Sequence, residues 1–424
     1  MKNFKYIIFA ASVAALSLLF LSSFQFFAVA QNERFPSGWP MLLEEGNYFE
    51  AYDKVSHISD DWSSYRMQAL AWLYAGFGDE TRAIATFRGI SPDTGHAELA
   101  EILAKSSLDL CREFGVEREC GSAELSQLLM LNTHTKLFFL NEAHHISRHR
   151  AFAKFLLSQL RASGFTHFAV EALSEEVADS VKSRNSVPLT TNPYLHDPQF
   201  ANLLISAHEL GFKLVFYEQT SDQDAACKDC NAMEGRISRE RDQAANLLAQ
   251  TIEKDPDARV FAYGGFGHVR RCNRPEDPDF IPRTAYFLSR ELGDDMITAD
   301  QTGLYWRREP TDGLEDAAQT AQPLVLPGDD CVDMKIAHYL GPETHPNPIW
   351  KGWIEGRELR KVSLSSDDGP FPIAVEAFRL DQPADTVPID RYTLWEPGTA
   401  YLWIPEDGAR IYLRERNDRL RPLE

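Results

Sequence analysis

The stretch LFFLNEAHHISRHRAFAKFLLSQLRASGFTHFAVEAL, Leu137 to Leu173, decides the fold. Leu137 to Leu140 is a short apolar run of the buried-strand type, and it stops at Asn141-Glu142-Ala143-His144-His145, where a polar loop is expected. Ser147 is placed to cap a helix whose apolar residues Phe152, Phe155, Leu156 and Leu160 recur at helical spacing, and Gly164 is placed to end it. A second apolar run, Phe168 to Val170, ends on Glu171. Strand, helix and strand in so few residues imply a right-handed parallel crossover, which puts Glu142, His145 and Glu171 at the carboxyl edge of one sheet. Open α/β sheets bind ligands at that edge.

The alternation continues downstream. Gln199 to Leu210 has helical spacing closed by Gly211, and Lys213 to Tyr217 reads as a strand delivering Glu218 to the same edge. A helix is expected from about Arg236 to Ile252, then a strand from Arg259 to Tyr263 that runs into Gly264-Gly265-Phe266-Gly267-His268. The glycines let the backbone turn sharply and approach a ligand closely. Pro282 to Leu292 and Met296 to Ala299 add one more helix and strand. The fold class is therefore α/β, a mainly parallel open sheet flanked by helices, spanning about 133–306. Between Glu171 and Gln199 lie Asn185, Pro188, Asn192, Pro193, Asp197 and Pro198, too rich in turn formers for a regular element and expected to lie over the site.

Residues 38–130 have a helical pattern, in which Ala69, Leu70, Trp72, Leu73, Ala75, Ala83, Ile84 and Phe87 resemble one tetratricopeptide unit. A single unit does not make an array, so this region reads as a helical prologue packed on the next domain. Residues 307–322 are acidic and unpatterned, as in a linker or surface loop. Residues 323–424 carry short alternating apolar runs between Gly, Pro and Asp turns and read as β-rich. Asp330 to His338 lies where this region meets the α/β domain, and the pattern is compatible with either.

Composition narrows the function. A formal net charge of −20 argues against nucleic acid as a partner, since phosphate binding needs clustered Lys and Arg. Lys2 and Lys5 before a long apolar run, and Ala28-Val29-Ala30 before Gln31, fit a cleaved secretory signal over residues 1–30, with an uncleaved membrane anchor as the alternative. A periplasmic or secreted protein follows. Six cysteines in an exported chain are an even number able to pair. Cys227 with Cys230 and Cys111 with Cys120 are the local pairs, which leaves Cys272 and Cys331. Zinc at the Cys-x-x-Cys is the competing reading, without a second Cys/His pair nearby.

The pattern Glu142-x-x-His145, Arg148, a helix, Gly164-Phe165 and a strand ending in Glu171 resembles the opening motif of erythromycin-esterase-like proteins. Read as Glu142-x-His144, it is equally similar to the ChaN and Tiki haem-uptake superfamily. Arg241-Asp242, the following helix and strand, and the glycine run ending in His268 resemble the superfamily's later motif, in which a strand delivers a histidine to the same site. The likeness covers the middle two fifths of the chain. It departs at Asn141, where such families usually have Gly; Asn is the non-glycine residue that best tolerates positive φ.

Three functions are weighed. In the first, an exported hydrolase, His145 takes a proton from water, Glu142 fixes its tautomer, and the hydroxide attacks an ester or amide of a small-molecule or peptide substrate. His268 and Arg148 then stabilise the oxyanion, with Glu171 in the pocket and Glu218 and Tyr263 against substrate. A metal-assisted form would draw on Glu142, His144, His145, Glu171 and His268, which are donor types that suit a divalent ion. In the second, resemblance to ChaN implies haem or iron bound through a histidine or tyrosine. The third is a non-catalytic interaction protein. No cofactor is required by the first reading, and no Gly-x-Ser-x-Gly elbow or Cys-His motif supports a covalent nucleophile.

Overall fold

The structure is a computed structural model that describes residues 38–115, 134–171, 173–189, 192–274, 276, 280–307, 323–341, 350–351 and 356–423. The signal or anchor over residues 1–30 and nearly all of the linker lie outside the described residues, as does Cys120.

Among the described residues the chain opens with helices α1 (Trp39–Glu44), α2 (Tyr48–Ser56), α3 (Ser63–Gly76), α4 (Glu80–Phe87) and α5 (His96–Leu103), the two-residue strand β1 (Lys105–Ser106) and helix α6 (Ser107–Glu113). The α/β region follows: β2 (Leu137–Glu142), α7 (Ser147–Ala162), β3 (His167–Val170), α8 (Glu175–Arg184), α9 (Pro198–Glu209), β4 (Lys213–Phe216), α10 (Ser221–Ala226), α11 (Ala232–Gln250), β5 (Val260–Gly265), α12 (Thr284–Leu292) and β6 (Met296–Arg307). Next come β7 (Leu324–Pro327) and β8 (Met334–Tyr339). The chain then runs through β9 (Arg357–Leu364), β10 (Ile373–Phe378), β11 (Asp390–Leu394), β12 (Gly398–Pro405), β13 (Arg410–Arg414) and β14 (Leu420–Pro422).

The α/β expectation holds. One sheet has the order β4-β3-β5-β2-β6-β8-β7, parallel except for the β7–β8 pair, with β1 added in parallel to the far end of β6. Residues of β2 alternate between two cores, as the period of a strand requires. Phe138 and Leu140 pack with Phe152, Leu156 and Leu203 from α7 and α9, while Leu137 and Phe139 pack with Leu247 of α11 and Leu288 of α12. Both faces are covered, and every residue of β2 is buried. Helix α7 stops where Gly164 adopts φ 90°, a left-handed conformation that glycine tolerates without Cβ strain. Ile146, not Ser147, occupies its N-cap position, so Ser147 is the first helical residue.

The boundary expected near residue 323 shifts. β7 and β8 belong to the main sheet, because β8 pairs in parallel with β6 from Ala299↔Met334 to Trp306↔Tyr339. The antiparallel β-rich region starts at β9, with β11-β10-β13-β14 as one sheet and β12-β9 as another around Val362, Val375, Leu402 and Leu413. α3 and α4 form the tetratricopeptide-like hairpin, with Ala69 and Ala83 fully buried.

Buried ion pairs join these regions. Arg391 donates to Glu376 Oε1 at 2.7 Å and to Gly76 O at 2.5 Å, and Arg414 donates to both oxygens of Glu376 at 2.9 Å and to Gly46 O at 2.9 Å. Asp418 accepts from the N–H groups of Phe49 and Glu50 at 2.8 and 2.9 Å, satisfying donors that the first turn of α2 cannot satisfy internally.

Candidate active site

Glu142 ends β2, and its carboxylate is held on both oxygens. Arg150, one turn into α7, donates Nε to Oε2 at 2.7 Å and Nη2 to Oε1 at 2.8 Å, while its Nη1 reaches Asp197 Oδ2 at 2.6 Å. Those charges hold Glu142 down at about 2 despite complete burial. An ionised carboxylate only accepts, so the 2.7 Å contact between Glu142 Oε1 and His144 Nδ1 puts the proton on Nδ1. In the neutral ring Nε2 then carries the lone pair. That atom is buried and makes no hydrogen bond. Tyr194 stacks on the ring face at 3.9 Å and 12°, and Phe266 meets its edge at 5.2 Å.

Glu171 stands just past β3. Its Oε2 accepts the backbone N–H of Gly265 at 2.5 Å, and its Oε1 accepts Nη2 of Arg239 at 3.0 Å. A side chain at 265 would collide with Cε1 and Nε2 of His144 and come within 3.2 Å of Glu171 Oε2, so glycine lets imidazole and carboxylate converge at the end of β5. His268 follows in the same loop. Its Nδ1 lies 2.7 Å from Glu240 Oε2 and its Nε2 lies 3.2 Å from Glu171 Oε1. Glu240 is fixed in turn by Thr284 N at 2.7 Å, Thr284 Oγ1 at 2.8 Å and Arg283 Nη1 at 2.9 Å. Carboxylates on both ring nitrogens demand a proton on each, and they raise His268 to about 9 against the opposing effect of burial. The nearby imidazolium and guanidinium hold Glu171 well below the usual carboxylate range.

Glu142, Glu171, Glu218 and His268 thus meet at one sheet edge, as expected from their places after strands. Glu218 is the half-exposed member, bonded by Arg239 Nε at 2.9 Å and Gln243 Nε2 at 3.1 Å. Histidine 144 takes the place expected for His145. The His145 ring instead stacks on Phe87 of α4 at 3.8 Å, and burial together with Arg88 pushes it well below the usual histidine value. Arg148 is not an oxyanion donor. It is buried against Glu80 of α4, with Nε to Oε2 at 2.8 Å and its backbone N–H to Oε1 at 2.9 Å, and also reaches Tyr339 O. Tyr263 lies in the core with its hydroxyl beside Glu142, not against the opening. The left-handed backbone of the glycine run falls on Phe266, φ 38°, rather than on a glycine. Asn141, within β2 and not at positive φ, holds Phe266 O by its Nδ2 at 2.6 Å and accepts Gln301 N on Oδ1 at 2.8 Å.

The donors do not fit a divalent ion. Both oxygens of Glu142 and both of Glu171 already accept from cations or N–H groups, both nitrogens of His268 face carboxylates, and His145 lies elsewhere. Haem does not fit either, because His144 Nε2 abuts Gly265 and Tyr194 covers the ring face, which leaves no slot for a porphyrin. Among the described residues, the acid and thiol cluster Asp329, Asp330 and Cys331 is not a metal site, since Cys331 is joined to Cys272. Cys227 and Cys230 are also joined, and Cys111 is disulfide-bonded.

Tyr194, Arg239 and Glu240 were not singled out from sequence. Arg239 and Glu240 sit in α11 among Arg, Glu and Asp residues that pattern reads as a solvated face, and Tyr194 sits in the turn-rich stretch.

No family model and no curated protein matches the chain. Among solved structures, the type III effector HopBA1 is 14% identical, with 51% of this chain and 94% of that one covered and a TM-score of 0.30. RRSP, a MARTX toxin effector domain from Vibrio vulnificus, is 17% identical over 62% of this chain and 54% of that one, with a TM-score of 0.32. A Bacillus cereus protein is 11% identical over 51% of this chain and 91% of that one, with a TM-score of 0.31. Likeness at this level carries no argument about fold or function.

Proposed function

We propose that this chain is a hydrolase that directs water at the carbonyl carbon of an ester or amide. One observation carries the reading: His144 Nε2 is a buried, unpartnered ring nitrogen in an imidazole whose other nitrogen is fixed by an ionised carboxylate. That is the arrangement of a general base. Water between Nε2 and the Glu171 edge gives its proton to His144, and the Glu142 carboxylate, held in place by Arg150, stabilises the imidazolium that forms. The hydroxide oxygen bonds the carbonyl carbon. When the tetrahedral adduct collapses, the bond to the leaving oxygen or nitrogen breaks, and the His268 imidazolium supplies its proton. The roles of base and acid follow from the contacts: His144 presents an unpartnered Nε2, while carboxylates face both nitrogens of His268. Among the described residues no cysteine is free to compete as nucleophile.

The order Glu142-x-His144, Glu171, His268 is the one implied by the likeness to the ChaN and Tiki superfamily, and erythromycin-esterase-like proteins imply hydrolysis. Both support the reading. The disulfides favour an oxidising compartment, periplasmic or extracellular. Among the described residues no helix is long and apolar enough to cross a membrane.

The test is a panel of p-nitrophenyl esters and aminoacyl anilides. His144→Gln should lower kcat by at least about a hundredfold, while His145→Gln stays near the parent. Loss of the acid form of His268 should make kcat/KM fall above about pH 9. Full activity in His144→Gln, or no turnover anywhere in the panel, would overturn the proposal.

A further inference from the structure

We propose that Tyr194 is a further catalytic residue, whose phenolic hydroxyl donates the hydrogen bond that receives the oxyanion formed beside His144. The inference rests on the hydrolytic reading of His144 and goes beyond it by naming the group that stabilises the intermediate.

A tetrahedral intermediate of acyl transfer needs a preorganised donor aimed at its oxygen. At this edge the His268 proton goes to the leaving group, and the other donors are spent: the N–H of Gly265 on Glu171, Arg239 on Glu171 and Glu218, Arg150 on Glu142 and Asp197, and Arg148 on Glu80. Each is committed to a carboxylate, and moving it to an oxyanion would strand that carboxylate in a buried site. The Tyr194 hydroxyl is committed to nothing. It hydrogen-bonds no protein group among the described residues, and although the side chain is only 7% exposed, the hydroxyl oxygen is not sealed off and keeps access to solvent.

Its position is fixed from several sides. The phenol lies flat on the His144 imidazole, the ring that activates water, with centroids 3.9 Å apart and planes 12° apart. Trp72 of α3 meets the phenol edge-on at 5.1 Å and 89°. The turn that bears it, Pro193–His196, is pinned at both ends: Asn192 Oδ1 accepts Tyr194 N at 3.1 Å, His196 Nδ1 lies 3.0 Å from the Tyr48 hydroxyl, and Asp197 holds Arg150. A donor locked in this way needs no reorganisation when charge develops. Burial and the negative charge of Glu171 hold the phenol well above the usual tyrosine value, so it stays protonated.

The step balances without a redox partner. Hydroxide bonds the carbonyl carbon, the π pair moves to the carbonyl oxygen, and that oxyanion accepts a hydrogen bond from Tyr194 without taking its proton. Collapse returns the pair to the C=O bond and expels the leaving group, protonated by His268.

Tyr194→Phe separates the hydroxyl from the stack. The variant loses no protein hydrogen bond, so its thermal melt should match the parent, and its kcat should fall about a hundredfold with little change in KM, the scale of one lost oxyanion donor. A monoanionic aryl phosphonate ester, a tetrahedral mimic, should bind the parent and bind Tyr194→Phe about tenfold more weakly, or about 1.4 kcal/mol. If Tyr194→Phe keeps parental kcat and phosphonate affinity while His144→Gln is inactive, the Tyr194 assignment is wrong and the hydrolytic reading survives. If the parent neither hydrolyses the panel nor binds the phosphonate, both fall together.

Discussion

Mild acid should destabilise this protein through its buried histidines. His145, His149 and His338 are all buried, and desolvation, with nearby cations or other histidines adding to it, holds each imidazole well below the usual histidine value. In the unfolded chain each ring titrates near about 6.5. A folded value depressed in this way gives stability that is present above the unfolded value and lost as the pH falls below it, because the unfolded chain binds protons the native state refuses. From pH 7 to about 5.5 the loss summed over the three rings is about 4 kcal/mol. His268 acts in the opposite direction. Raised to about 9, it contributes fully below the unfolded value and loses its contribution as the pH climbs through 9, so over the acid interval it returns about 1 kcal/mol. Glu142, held at about 2, does not titrate there. The net loss is about 3 kcal/mol, a large share of the stability of an ordinary domain. Urea unfolding read by tryptophan fluorescence, at constant ionic strength across that range, measures it. His338→Gln should remove about a third of the slope. Stability that is flat or rises between pH 7 and about 5.5 would refute the account of these buried rings.

Two further predictions concern stability. Glu80→Gln strands the Arg148 guanidinium, buried with its carboxylate partner at 2.6 Å, and should cost about 3–5 kcal/mol in the same urea assay. Replacing both members of the Cys272–Cys331 pair with Ser should cost about 4 kcal/mol and both members of Cys227–Cys230 about 2, because the sequence separations are 59 and 3 and the loop-closure contribution follows loop length; equal effects would contradict this.

Much of the sheet was legible because the reading needed only strand ends. Glu142, Glu171, Glu218 and His268 each follow an apolar run in a chain that alternates strand and helix, and parallel pairing leaves such residues no other side to occupy. The choice between His144 and His145 was not legible. The two are neighbours in a loop, and what separates them is Phe87, which claims the second ring from a helix far upstream. Arg148 was misplaced for a related reason: its partner, Glu80, lies 68 residues away in the prologue, and nothing local to the motif signals it. Asn141 looked like a residue standing in for glycine. It is a strand residue whose amide ties β2 to Phe266 and to β6, a role visible only once β5 and β6 flank it. Asp330 to His338, which holds most of β8, was left open between the two regions because a short apolar run reads alike in a main sheet and in a β-rich tail.

The clasp between α2 and the final hairpin limits how this chain can be built. Asp418 caps Phe49 across 369 residues, Arg414 reaches Gly46 across 368, and Arg391 reaches Gly76 across 315. During synthesis the amino-terminal segment emerges first, yet the groups that satisfy its backbone are among the last to be made. Closing so long a loop costs only about 3 kcal/mol more than closing one of ten residues, so the finished fold bears the connection easily. Time is the harder constraint. Until the β-rich region is made, α2 and α3 lack the partners that cap them and cover their aromatic surface, so the prologue completes its packing only afterwards.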